Sequence, residues 1–114
     1  YLYHFNYVLK GEFKSVPGAE HGAETPYIFK TLDKVTKNFS IDNDDYKMSN
    51  LISSYWVAFA KSGNPNGVGR PLWPLYTESK DVILDINQDD INFKYNFEKK
   101  RMKFFEMHYD SKKL

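Results

Sequence analysis

The sequence predicts an α/β fold on three observations. The first eight residues alternate aromatic and other side chains, residues 42–62 carry a long amphipathic helical pattern, and the apolar run Val82–Ile86 precedes a second helical pattern. Strands separated by helices are the mark of that class.

In the opening segment Tyr1, Tyr3, Phe5 and Tyr7 share one face, and Leu2, His4, Asn6 and Val8 share the other, the period of two of a strand. Each such ring buries on the order of 150 Å² or more when covered, so the row needs a large packing partner downstream. A strand of this kind also needs neighbours on both edges, and only one other strand is evident, at Val82–Ile86. The expectation is a piece of a larger sheet.

Residues 10–23 hold Gly11, Pro17, Gly18 and Gly22 and read as a loop, with His21 near its end. Thr25 is placed as the N-cap of a short helix over Tyr27, Ile28 and Phe29, with Pro26 at its first position, where a missing N–H costs little. From Asp42 the helical signal is strong. Asp44 and Asp45 fall in a first turn, and Met48, Leu51, Ile52, Tyr55 and Phe59 recur at helical spacing, with Trp56 and Ala60 widening the apolar face. Lys61 suits the last turn, Gly63 the left-handed position after it, and Pro65 prevents continuation. Residues 64–74 form a loop rich in proline and glycine, Val82–Ile86 a short strand, and residues 97–109 a closing helix with Met102, Phe105 and Tyr109 on one side.

The composition is that of a globular chain: 114 residues, 41% hydrophobic and 27% charged, enough for one small domain with its own core. A formal charge of +1, spread throughout, favours neither nucleic acid nor an anionic membrane as partner. No apolar run approaches the roughly 20 residues that span a bilayer. The absence of cysteine excludes disulfides and thiolate metal sites within these residues. Asn38-Phe39-Ser40 is a formal glycosylation acceptor. The compartment stays open between secreted and cytoplasmic, and the oligomeric state is undetermined.

Several clusters invite a functional reading and receive a plainer one. His4, on a strand, and His108, near a helix end, have no second ligand at metal-binding spacing. Asp42-Asn43-Asp44-Asp45 starts like a calcium loop, but Tyr46 and Lys47 fall where a ligand and a glycine are needed, so it reads as a helix cap. Lys99, Lys100, Arg101 and Lys103 wrap around more than half of a helix and read as a solvated face. Trp56, Phe59, Trp73 and Tyr76 read as core rather than substrate contacts.

Residues 18–29 are more specific: Gly18-Ala19-Glu20-His21-Gly22-Ala23-Glu24-Thr25-Pro26-Tyr27-Ile28-Phe29 hold a histidine among turn-formers, just before a helix. Downstream come Trp56, then Phe59-Ala60-Lys61-Ser62-Gly63-Asn64-Pro65-Asn66, then Trp73-Pro74-Leu75-Tyr76. Together, in this order, they resemble the end of the type-B carboxylesterase and cholinesterase family of α/β-hydrolases. Departures are small: Ser62 and Asn64 stand where many relatives have Thr and Asp, and Lys30 follows Phe29 where Gly is common.

The resemblance implies that residues 1–114 form the C-terminal part of a single α/β-hydrolase domain, with the N-terminal majority outside this sequence. It implies a serine carboxylesterase acting on small carboxylic esters, without metal or organic cofactor, and His21 as the catalytic histidine. In that fold the triad runs serine, acid, histidine along the chain. The absence here of a Gly-x-Ser-x-Gly elbow and of a Gly-rich oxyanion loop fits a piece holding only the last member, and such a piece alone is expected to be inactive. Glu24, three residues after His21, falls on the wrong side for the acid and is expected to serve backbone N–H groups or the helix dipole. Two alternatives stay open: a cholinesterase-like adhesion or binding module whose nucleophile has been replaced, or a truncated product without function.

Overall fold

The computed structural model describes residues 1–12, 14–35 and 39–112. Asn38 of the glycosylation triplet lies outside the described residues. Among them the elements run β1 (Tyr3–Phe5), α1 (Thr25–Ile28), α2 (Leu32–Val35), α3 (Asn43–Ser62), β2 (Val82–Ile86), β3 (Ile91–Tyr95) and α4 (Lys99–Ser111).

The three strands form one sheet in the order β1-β2-β3. β1 runs parallel to β2, with Tyr3 beside Leu84, His4 beside Asp85 and Phe5 beside Ile86. A parallel pair needs a long crossover, and here the crossover carries α1, α2 and α3. The ladder extends past β1 at both ends: Leu84 N donates to Leu2 O at 3.0 Å and Asn6 N to Ile86 O at 2.7 Å. β1 is therefore shorter than the eight residues its alternation predicts: β2 ends at Ile86, opposite Phe5, and leaves Asn6, Tyr7 and Val8 without strand partners in it.

β3 pairs antiparallel with β2 through a turn that Asn87 organises, its Oδ1 accepting from Asp89 N at 2.9 Å and Asp90 N at 3.2 Å. The sequence reading passed over this strand, although Ile91, Phe93 and Tyr95 alternate with Asn92 and Lys94.

The aromatic row finds its partner in α3, α1 and the loop after α3. Tyr1 meets Phe59 and Trp73 edge-on at 6.0 Å each, Tyr3 meets Trp56 at 5.1 Å, and Phe5 and Tyr7 meet Tyr27 at 5.4 and 5.5 Å. Tyr7, Leu9, Tyr27, Leu32, Ile52, Tyr55, Trp73, Leu84 and Ile86 make one buried cluster, with Met48, Leu51 and Trp56 packed against it. Removing these side chains from water is the main force holding sheet and helices together. Ala60, expected on the apolar face, is exposed, and Phe59 is half exposed.

α3 begins and ends where its caps dictate. Asp42 Oδ1 accepts from Asp44 N and Asp45 N, Asp45 Oδ2 accepts from Asp42 N, and Gly63 closes the helix at φ +73°. Asp42, Asp44 and Asp45 are thus spoken for by backbone and lysine partners, as a cap and not a calcium loop. Beyond it, Asn66 clamps Trp73, accepting from its N–H at 2.7 Å and donating to its carbonyl at 2.8 Å, while Trp73 Nε1 donates to Leu2 O at 2.7 Å. The tryptophan-proline loop is structural: it seats the indole against the opening strand.

α4 carries no buried residue, and among the described residues its backbone stays apart from the strands and the other helices; Phe104 is 67% and Tyr109 70% exposed.

Candidate functional site around His21

β1 leads through Tyr7, Val8 and Leu9, all buried, into the loop that holds His21. His21 opens a tight turn over residues 21–24 and is exposed. Ala23 N donates to Glu20 O and Thr25 N to Gly22 O, both at 3.1 Å, and Gly22 adopts φ +78°, a conformation that favours glycine. The turn runs directly into α1. Glu24, already at φ −71° and ψ −23°, is the N-cap, so the helix starts one residue earlier than Thr25 as cap would require. The Glu24 carbonyl already accepts the first intrahelical bond, from Ile28 N at 3.0 Å, so Thr25 lies inside the helix.

Three side-chain contacts fix this loop to the body of the fold. Asn6 Oδ1 accepts from Ala19 N at 3.1 Å, two residues before His21. Tyr3 Oη donates to Glu24 Oε1 at 3.0 Å, three residues after it. Ser49 Oγ, on α3, donates to Tyr27 O at 2.9 Å and holds α1 down. Two of the three come from the opening strand. Glu24 is occupied by Tyr3, which corrects the expectation that it serves backbone N–H groups with its carboxylate. The Tyr3 phenol is pushed up to about 12, first by burial and then by the Glu24 bond and charge.

The His21 imidazole has no hydrogen bond or ion pair to any described residue. Both ring nitrogens are therefore open to partners from elsewhere, and one can accept a proton while the other donates.

A second histidine tells a different story. His4 Nδ1 donates to Asp85 Oδ1 at 2.9 Å, Asn87 Nδ2 donates to Asp85 Oδ2 at 3.0 Å, and Lys94 Nζ pairs with the same Oδ2. Burial pushes the Asp85 carboxyl up, but Lys94, His4 and Asn87 overcome it and hold it below the usual range. His4 also lies 4.7 Å from the Phe97 ring. A cleft of about 440 Å³ opens beside this pair, and no hydroxyl or thiol lines it. The arrangement has an imidazole and a carboxylate but nothing to activate, and its work is to tie β1 to β2 and β3. Sequence reasoning missed it, since only the parallel register brings His4 beside Asp85.

Among the described residues no cluster of three or more His, Asp or Glu side chains is arranged to hold a metal, and no helix is long and apolar enough to cross a membrane. The basic residues of α4 are exposed, with Lys99 on Asn96 Oδ1 at 2.9 Å and Arg101 near Glu98 at 3.6 Å.

The sequence profile of the Carboxylesterase family matches residues 1–105. The chain belongs to the carboxylesterase family. Similar members include carboxylesterase 4A of Bos taurus, 35% identical over 89 residues, covering 75% of this chain and 16% of the bovine protein. Acetylcholinesterase of Gallus gallus is 38% identical over 71 residues, covering 61% of this chain and 9% of its own length. The crystal structure of a Geobacillus stearothermophilus carboxylesterase superposes with a TM-score of 0.70 at 26% identity, covering 90% of this chain and 21% of that one. This carboxylesterase-family chain thus has part of the α/β-hydrolase fold, and spans about a fifth or less of the relatives it matches.

Proposed function

We propose that this chain is the C-terminal segment of one type-B carboxylesterase domain, and that His21 is the general base of its Ser-His-acid triad. The observation that carries the reading is the placement of His21: exposed, free of hydrogen bonds to described residues, and set in a turn tethered on both sides to the opening strand. A histidine that must take a proton from one partner and lean on another needs that combination of open nitrogens and fixed backbone.

In the parent enzyme His21 accepts the proton of a serine hydroxyl as the oxygen attacks an ester carbonyl. It then returns the proton to the departing alcohol, leaving an acyl-serine that water hydrolyses by the same exchange. An acid from outside this segment fixes the tautomer. No metal or organic cofactor enters these steps. The 114-residue chain alone holds the base without its nucleophile and hydrolyses no ester at a saturable rate.

The test is the parent coding sequence, expressed whole and assayed with p-nitrophenyl acetate, beside its His21→Ala variant. A Gly-x-Ser-x-Gly elbow, ester turnover and a loss of about 10³-fold or more in kcat on substitution support the reading. Unchanged turnover in His21→Ala would refute it. A parent with the family fold but no elbow serine would instead be a binding or adhesion module.

A further inference from the structure

We propose that Asn6 is a positioning residue for His21, acting through the backbone amide of Ala19. The proposal rests on the reading of His21 as general base.

Asn6 stands where the sheet hands over to the loop. Its own N–H donates to Ile86 O at 2.7 Å, the last rung of the β1–β2 ladder, so its backbone shares the rigidity of the sheet. Its side-chain Oδ1 accepts from Ala19 N at 3.1 Å. A backbone N–H can only meet the oxygen of the carboxamide, so the orientation of the group is fixed by the bond itself. Between Ala19 and His21 lies Glu20, whose carbonyl accepts from Ala23 N and so starts the turn carrying the imidazole. Hydrogen bonds and the short backbone from Ala19 to Glu20 thus connect the sheet, through the carboxamide, to the turn that His21 opens.

Gly18, joined to Ala19, meets the same Asn6 oxygen. A Cβ on residue 18 would sit 2.6 Å from Asn6 Oδ1, closer than real contacts allow. A Cβ there makes something shift, and the carboxamide, at the free end of the Asn6 side chain, is the group that can move, away from its place on the Ala19 amide. Gly18 and Asn6 are therefore one device: the glycine admits the side chain, and the side chain holds the loop. Asn6 is exposed and fills no core space, so packing does not account for it.

The energetics of positioning differ from those of folding. A loop histidine displaced by about 1 Å loses reaction geometry, which costs on the order of 100-fold in rate, while the loop stays closed through Tyr3 and Glu24. Loss of Asn6 should thus act on kcat and leave substrate binding alone.

The experiment uses the full-length parent esterase with p-nitrophenyl acetate, at a temperature well below its melting point, and compares Asn6→Ala, Asn6→Asp and Gly18→Ala with His21→Ala. Asn6→Ala is expected to lower kcat by about 10- to 100-fold with KM within about threefold. Asn6→Asp, which keeps an acceptor oxygen in place, is expected to stay within about threefold of the parent in kcat. Gly18→Ala should reproduce the Asn6→Ala signature without touching the asparagine, and it carries the test if Asn6→Ala does not fold. Wild-type kcat in both Asn6→Ala and Gly18→Ala, with His21→Ala inactive, overturns the positioning role and leaves the base assignment standing. An active His21→Ala removes the base assignment, and the proposal with it.

Discussion

The Tyr3 hydroxyl donates to Glu24 across 3.0 Å, joining β1, an edge strand of the sheet, to the N-cap of α1 over the loop that carries His21. Tyr3 belongs to the aromatic row, with Trp56 and Trp73 against its ring at 5.1 and 5.8 Å, so the hydroxyl is aimed by packing and not by the bond alone. Tyr3→Phe keeps the packing and removes the donor. Because both partners are partly exposed, the expected loss is below about 1 kcal/mol, read as a shift in the urea midpoint. The contribution is whole below about pH 10, where an unfolded tyrosine is protonated, and is lost as pH rises through about 12, where Tyr3 ionises in the fold. A urea midpoint insensitive to Tyr3→Phe between pH 7 and 9 would argue against the tether.

Asp45 does two jobs from a fully buried position. Its Oδ2 closes the capping box of α3, and its Oδ1 accepts from Tyr7 Oη at 2.8 Å and Lys10 N at 3.2 Å, fastening the chain leaving β1 to the helix start. The Tyr7 phenol is driven far above its usual range by burial first and by Asp45 second, which favours the protonated, donating form. Tyr7→Phe removes a buried donor to a carboxylate and is expected to cost about 1.5–3 kcal/mol in denaturant titration. A cost below 0.5 kcal/mol, on the same order-of-magnitude scale, would mean that Lys10 and Asp42 satisfy the carboxylate without Tyr7.

How much of this was legible in the sequence follows from how local each signal is. The limits of α3 are readable because Asp42, Asp45 and Gly63 act on backbone groups within one turn. The exposed loop position of His21 is readable from Gly18 and Gly22. β3 carried an alternation as clear as that of β1, but the polar run from Asn87 to Asp90 that makes its hairpin turn was not recognised as one. His4 with Asp85, Asn6 with Ala19, and Tyr7 with Asp45 were out of reach, because each depends on a register or a close approach that no spacing encodes.

Asp85 is the group through which the sheet senses acid. Held below the usual carboxylate range, it stabilises the fold above the ordinary unfolded value of about 3.9, and that contribution is lost as pH falls below it. Asp85→Asn keeps an oxygen for His4 but loses the charge that holds Lys94, for an expected cost of about 1–2 kcal/mol at pH 7. In thermal melts the variant should lose less stability than the parent sequence between pH 5 and pH 2, because one acid-sensitive group has gone. Parallel acid limbs for the two proteins would contradict the assignment.

No residue of α4 is buried and its backbone stays apart from the other described helices and strands, and a 13-residue helix is marginal in water without tertiary burial. Ending the chain after Glu98 is therefore expected to leave the melting temperature within about 4 °C, the equivalent of less than about 1 kcal/mol for a chain of this size. Limited proteolysis should cut within residues 99–112 before it cuts α3. A large drop in melting temperature on truncation would show that Met102, Phe105 and Tyr109 are buried against the sheet in solution.

Lys30 occupies a backbone position that suits glycine. α1 ends in a Schellman arrangement: Thr31 N donates to Pro26 O at 2.9 Å, Lys30 N to Tyr27 O at 3.4 Å, and Lys30 takes the left-handed φ of +55° that this closure requires. A side chain pays about 1–2 kcal/mol for that conformation, and glycine does not. Against this, glycine loses more freedom on folding, roughly 0.5–1 kcal/mol. The balance favours Lys30→Gly by a few tenths to about 1 kcal/mol, since the lysine makes no hydrogen bond or ion pair to any described residue that the substitution would remove. The same argument gives Gly63→Ala the opposite sign at the end of α3, where φ is +73° and the loss should be about 1 kcal/mol. Measured together by urea denaturation, the two substitutions should move the midpoint in opposite directions. If Lys30→Gly destabilises as well, the left-handed closure of α1 is not the conformation the chain holds in solution, and the placement of the turn before it would have to be revised.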